Sequence, residues 1–311
     1  MASAMSTEHP SLAATDTVPV GVRADPAIRS ESRWSVGSIY ALAFGALALV
    51  YVPVLWNLFG DWATDPNYSH GFIIPFAVAF ILWQQRDLLR SIPARPSHWG
   101  LALAFVAEAE YLVGFLGAEY FLQRTSLLLL LAGGILYLYG WRHLRSQLFS
   151  LALLFFAIPL PTIVFNAIAF PLQLLASTWA AALLNFSGIP VFREGNIIQL
   201  PQRTLDVAEA CSGIRSLFSL IALAMLVAYF VPVRLWKRLL LVASSVPLAL
   251  AANAFRIAAT GWLGRWFGPE ASEGFFHAFS GWLIFVIAFA GLLAEATFLS
   301  RRKGAAAAIR P

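Results

Sequence analysis

Charge is scarce in this sequence: 12% of its 311 residues are Asp, Glu, Lys or Arg, against 59% hydrophobic, and the mean hydropathy is +0.73. A soluble domain carries about 25% charged residues to keep its surface wet, so a soluble globular fold is excluded. Cysteine is scarcer still. The single one, Cys211, rules out an intrachain disulfide and any cysteine-rich metal cluster. No His-Glu-x-x-His, Gly-x-Gly-x-x-Gly or P-loop pattern occurs, so neither a metal nor a cofactor is expected. The net charge of +5 and the pI of 9.7 do not imply nucleic-acid binding, because the basic residues sit in short loops and no basic stretch interleaves with aromatics.

What the chain does have is apolar runs near the roughly 20 residues that cross a hydrocarbon core of about 30 Å. The spacing predicts an all-α polytopic membrane protein with eight crossings: Val36–Leu58, Ser69–Gln85, Trp99–Gly117, Ser126–Tyr139, Leu148–Phe165, Gly213–Val231, Leu239–Trp262 and Phe279–Leu299. Residues 1–35 read as a disordered polar tail, 36–300 as the membrane domain and 301–311 as a basic tail. The first apolar run is too long for a cleavable signal and is expected to stay as an anchor. Trp56, Trp83, Trp99, Trp141 and Trp262 fall near proposed span ends, where indole prefers the headgroup region.

Lys and Arg set the orientation. One set of loops and the C-terminal tail hold 12: Arg86, Arg90 and Arg95, then Arg142 and Arg145, then Arg234, Lys237 and Arg238, then the tail. The opposite loops hold four: Arg124, Arg193, Arg203 and Arg265. The positive-inside rule places the first set and both termini in the cytoplasm. Arg145 and Arg234 then require an odd number of crossings between Arg145 and Gly188. One crossing is expected, followed by an interfacial or re-entrant stretch around Ala167–Phe186, which needs protein or water to satisfy its backbone. Beyond it, Asn196–Leu200 and Thr204–Val207 flank Pro201-Gln202-Arg203 and predict a short extracytoplasmic hairpin leading to Cys211.

Three positions could carry chemistry. Cys211 precedes the sixth span, where unpaired N–H groups and the helix dipole favour a thiolate. Arg215, four residues on, shares its helical face. A lone cysteine is more often a small apolar filler, although a filler sits more often in mid-span than beside Glu209, Ser212 and Gly213. Both readings stand. Arg256 lies inside the seventh span, where a charge costs on the order of 3 kcal/mol unless paired or hydrated. Asn253 shares its face. A structural tie to a carboxylate or to helix-end carbonyls is the other reading. His277 enters the eighth span from the same side, where plain hydrogen bonding would also explain it, and His70 competes as a base. Thiol, guanidinium and imidazole together suit acyl transfer. Glu108 and Glu110 interrupt the third span without an assigned role.

These residues resemble the exosortases, within the wider exosortase/archaeosortase group. The likeness is carried by Glu209-Ala210-Cys211-Ser212-Gly213-Ile214-Arg215-Ser216, by Asn253-Ala254-Phe255-Arg256-Ile257, by His277 with Gly281-Trp282, and by Tyr68-Ser69-His70-Gly71, over roughly residues 40–300. The resemblance implies a bacterial inner-membrane cysteine peptidase or transpeptidase without a cofactor. Cys211 would be its nucleophile, Arg256 its oxyanion stabiliser and His277 its general acid/base, facing the periplasm. Its partners would be secreted proteins ending in a Pro-Glu-Pro-like motif (PEP-CTERM), a transmembrane helix and a basic tail. The family is often linked to exopolysaccharide and biofilm matrix. The alternative is a transporter or flippase for a polysaccharide precursor, with Arg256 and Glu108 in a polar pathway; it would be favoured by inverted repeats, and the sequence has none.

Overall fold

A computed structural model describes residues 36–201, 203–206, 213–268 and 274–307. The expected disordered tail, together with Glu209, Cys211 and Ser212, lies outside the described residues. Two units are separable. Met1–Leu49 contributes, among described residues, the first half of helix α1 (Val36–Thr64); Val50–Pro311 holds everything else.

An all-α membrane fold results from backbone that must satisfy itself away from water. After α1 come a 3-10 helix (Pro66–Phe72), α2 (Ile73–Gln84), α3 (Arg86–Ser91), α4 (Trp99–Leu116), α5 (Tyr120–Leu138), α6 (Trp141–Phe155) and α7 (Thr162–Phe186). Three short strands follow, β1 (Phe192–Glu194), β2 (Ile197–Leu200) and β3 (Arg203–Asp206), then α8 (Gly213–Phe230), α9 (Leu235–Phe267) and α10 (Gly274–Ala307). Among the described residues, six helices are long and apolar enough to cross a membrane: α1, α4, α5, α7, α9 and α10. The apolar part of α8, Arg215–Phe230, is shorter.

Several expected boundaries move, for one reason: polar residues extend helices that hydropathy would end. The fourth expected span begins at Ser126, whereas α5 starts at Tyr120 and carries Gln123 and Arg124 buried inside the protein. Arg124 is therefore not a loop charge. Its Nη2 lies 2.6 Å from Oδ2 of Asp61, which extends α1 past the expected end at Leu58. Facing α5, α4 packs backbone to backbone: a Cβ on Gly133 would stand 2.9 Å from the Gly100 carbonyl oxygen. Glu110, on α4, accepts a hydrogen bond from Thr125 Oγ1 at 2.6 Å.

The expected span Leu148–Phe165 is corrected more sharply. Its helix, α6, runs Trp141–Phe155 and stops, because Pro159 and Pro161 supply no backbone N–H and restrict the residues before them. The chain restarts as α7, a continuous helix through Pro171 where a re-entrant stretch was expected. By length and composition α7 could cross a membrane. Phe165, in its first turn, meets Tyr68 of the 3-10 helix at 6.1 Å and Phe218 of α8 at 6.5 Å. Ser187, just past its end, accepts a hydrogen bond from Trp262 Nε1 at 2.7 Å.

Between those contacts α7 runs along α9, from Leu172 by Val246 and Leu250 to Leu184 by Gly261. Helices α8 and α9 are joined by residues 231–234 and run antiparallel. At about 1.5 Å per residue, α9 spans about 50 Å and α8 only about 27 Å, so α9 overshoots the start of α8. The overshoot, the second half of α7 and the sheet share one core that includes Ala180, Leu184, Ile198, Leu205 and Ile257. Gly261 packs closely on Leu184: a Cβ there would sit 2.8 Å from Leu184 Cδ2. The sheet has three strands in the order β1-β2-β3, all antiparallel, one more than the expected hairpin. Along the rest of their length α8, α9 and α10 pack through small residues such as Ala224, Ala249, Ala288 and Ala296, which let helix backbones approach closely.

Candidate active site

Arg256 sits two-thirds of the way along α9, at the level where α8 begins. Its half-buried side chain enters a small pocket bounded by Ser216 and Leu220 of α8, Asn253 of α9, and Gly281 and Ile284 of α10. The guanidinium lies against Gly281: a Cβ built there would stand 3.2 Å from Arg256 Cζ, 3.3 Å from Nε and 3.4 Å from Nη1. Glycine is thus what gives the planar group its seat. The hydroxyl of Thr260, one turn on, donates to the Arg256 carbonyl at 3.0 Å.

Asn253 shares that pocket and also lines a neighbouring cavity with Gln173 and Leu217. It is buried, and its Oδ1 has no hydrogen-bond partner among the described residues. An orphan buried amide oxygen costs about 1–3 kcal/mol, a cost that a donor arriving with a ligand would offset.

Arg215, exposed in the first turn of α8, is close enough to Arg256 to feel its like charge, and close enough to Asp65 to feel the opposite one. Two guanidiniums therefore share one end of the bundle. His70 is held elsewhere. Its Nε2 bonds the Phe156 carbonyl at 3.1 Å, and burial holds the imidazole below its ordinary pKa. With Trp62 Nε1 donating to the Ala157 carbonyl at 2.7 Å, His70 ties the α6–α7 connection to the 3-10 helix. It does not line the arginine pocket.

Of the residues expected to act together, the structure brings Arg256 and Asn253 into one pocket and Arg215 to its neighbourhood. Cys211 lies outside the described residues; along the chain it stands five residues before Ser216 on the pocket wall. His277 falls in α10, one helical turn before Gly281. Gly281 itself was quoted for its likeness alone. The signal that could have singled it out is a glycine facing an intramembrane arginine on the adjacent span.

A larger, open cleft lies beside this pocket between the end of α1, the α4–α5 turn and the α6–α7 connection. Asp61, Asp65, Glu119 and Arg124 line it, with Tyr68 and Phe165 on the side toward α8. Two of its acidic members, Asp65 and Glu119, sit at helix starts, where each acts as a cap. Asp65 Oδ1 accepts from the Asn67 amide at 2.8 Å, and Glu119 Oε1 from the Phe121 amide at 3.2 Å.

One prediction tests the glycine seat. Gly281→Val puts methyl groups where the guanidinium lies and is expected to lower about 10–100-fold any activity that depends on its position, the cost of an ångström-scale misplacement. Gly281→Ala should be milder. Turnover normalised to membrane-inserted protein is the measurement, and equal rates for the valine variant and wild type would remove the seat's importance.

A helical membrane protein with a guanidinium lodged among three helices, beside a polar cleft at one end of the bundle, belongs to the class of polytopic proteins with intramembrane polar sites. The chain is a member of the transmembrane exosortase family (Exosortase_EpsH), whose model matches residues 62–294, a stretch that includes Cys211, Arg256 and His277. No curated protein and no solved structure matches it.

Proposed function

We propose that this exosortase is a membrane-embedded cysteine peptidase/transpeptidase acting on secreted proteins that end in a Pro-Glu-Pro-like motif, a transmembrane helix and a basic tail. The site faces the outside of the bacterial cytoplasmic membrane, with both termini in the cytoplasm, as the Lys and Arg distribution favours. The observation that carries the reading is the arginine pocket. One wall is α8, which follows directly on Cys211, and another is α10, one turn after His277.

The chemistry follows from those positions. Cys211, two residues before α8 in the sequence, is favoured as thiolate by the N-terminal end of that helix and by cations brought to it. Gathering like charges at a membrane boundary is costly, and a thiolate or oxyanion between them lowers that cost. The thiolate attacks the scissile carbonyl. Arg256 stabilises the negative oxygen that develops, and His277 protonates the departing amine. Water or an amine then attacks the thioester and returns Cys211 as thiolate.

The test is co-expression with a secreted reporter carrying such a C-terminal signal. A shortened reporter is expected only when this chain is present and the motif intact, and an alkylating reagent for thiols should block its formation. A reporter that stays full length beside well-expressed chain would overturn the assignment.

A further inference from the structure

The three-stranded sheet has a feature that the catalytic scheme leaves unused. Strand β2 is central, β1 lies toward α7, and β3 is an edge. The sheet is held firmly: Ile198 and Leu205, adjacent across β2 and β3, are almost completely buried against α7 and α9. Paired residues Leu200 and Arg203 close the β2–β3 hairpin with two residues between them. In a two-residue hairpin the closing pair exchanges both hydrogen bonds, and bonded and non-bonded pairs alternate from there. Ile198↔Leu205 is therefore a bonded pair, whereas Thr204 and Asp206 turn their backbone N–H and C=O away from β2, toward the open edge.

The β1–β2 hairpin gives the same parity independently. Its closing pair is Glu194↔Ile197, with Gly195 at φ +63 in the turn. That directs Ile197 and Gln199 toward β1 and leaves Ile198 for β3. Among the described residues, no backbone hydrogen bond reaches Thr204 or Asp206 from the open side, and Thr204 is exposed.

Chain order gives this edge its meaning. From β3 the chain runs through Cys211 into the apolar helix α8. The substrate of the proposed function has the same order: an extended segment, a scissile bond, then an apolar helix. Laid alongside, with its helix descending next to α8, its extended segment runs in the direction of β3. We propose that the substrate segment preceding the scissile bond adds to the sheet as a fourth strand, parallel to β3. It bonds the backbone of Thr204 and Asp206, and the sheet so delivers the scissile carbonyl to Cys211. This rests on the peptide-processing reading above. Main-chain pairing supplies affinity without reading side chains, so one enzyme can process many secreted proteins whose sequences before the motif differ.

The experiment is a proline scan along the reporter segment before the motif, with wild-type enzyme. A strand bonded on one edge uses the N–H of every second residue, and proline has none. Proline at bonding positions is expected to slow processing about tenfold, and proline at the positions between them much less, giving an alternation of period two. On the enzyme, Thr204→Pro, which removes the backbone N–H turned to the open edge, should slow processing. The scan decides the matter even if the Thr204→Pro chain fails to insert. Uniform slowing, or none, at consecutive substrate positions overturns strand addition while leaving peptide processing intact; an unprocessed parent reporter overturns the processing assignment itself.

Discussion

Replacing Arg256 with alanine is expected to slow reporter processing by about 10²–10³-fold, the usual loss when one oxyanion donor is removed, while the chain still inserts at normal levels. The second half of that expectation discriminates. A guanidinium inside α9 is costly to hold there, and its pocket is small and largely lined by Ala252, Gly281, Ile284 and Ala288. If Arg256 were only a structural tie, its loss would show as reduced protein and lower thermal stability in detergent. If it acts on a developing charge, stability holds or rises while rate falls.

Arg256→Lys sharpens the contrast. Lysine keeps the charge but replaces a planar five-donor fork with a compact ammonium, and the flat seat against Gly281 fits a plane. The lysine variant should fall close to alanine in turnover with substrate binding little changed. Recovery of most activity by lysine would reduce the role of Arg256 to a point charge; unchanged processing in the alanine variant would remove it from the mechanism.

The general fold was legible because membrane helices announce themselves by composition, and Arg256 stood out because charge in an apolar run is expensive. The errors share one physical origin. Hydropathy treats a polar residue as an end, but a polar residue with a partner can be buried. Arg124 and Asp61 satisfy each other, so α5 and α1 continue where loops were expected. Strand β1 escaped notice because Phe192-Arg193-Glu194 has too few residues and too much charge to read as a strand. The path of α7 depends on tertiary contacts that composition does not encode, from Phe165 on Phe218 to Ser187 on Trp262. The polar cleft draws on three separate connections, and no local pattern links Asp65 to Glu119 and Asn166. Glycine at 281 carries no signal of its own until the guanidinium is placed against it.

Cys211→Ala is expected to give the largest loss, about 10⁴-fold or more, because the proposed scheme assigns to Cys211 the covalent bond to the substrate. Residual catalysis from binding and oxyanion stabilisation alone sets the floor in triad enzymes, and the same floor should appear here. The alanine chain should still bind the reporter, so the two should co-purify more strongly than with wild type, which releases its product. Cys211→Ser should be nearly as slow, since a hydroxyl in the same place lacks the low pKa that makes a thiolate at a helix N-terminus reactive. Combining Cys211→Ala with Arg256→Ala should cost less than the two single losses multiplied, because the two residues act in one step, with the residual floor lowered by the lost oxyanion donor. Fully additive losses would mean that the two residues serve separate steps. Normal processing by Cys211→Ala would leave Arg256 to a transport or scaffolding role.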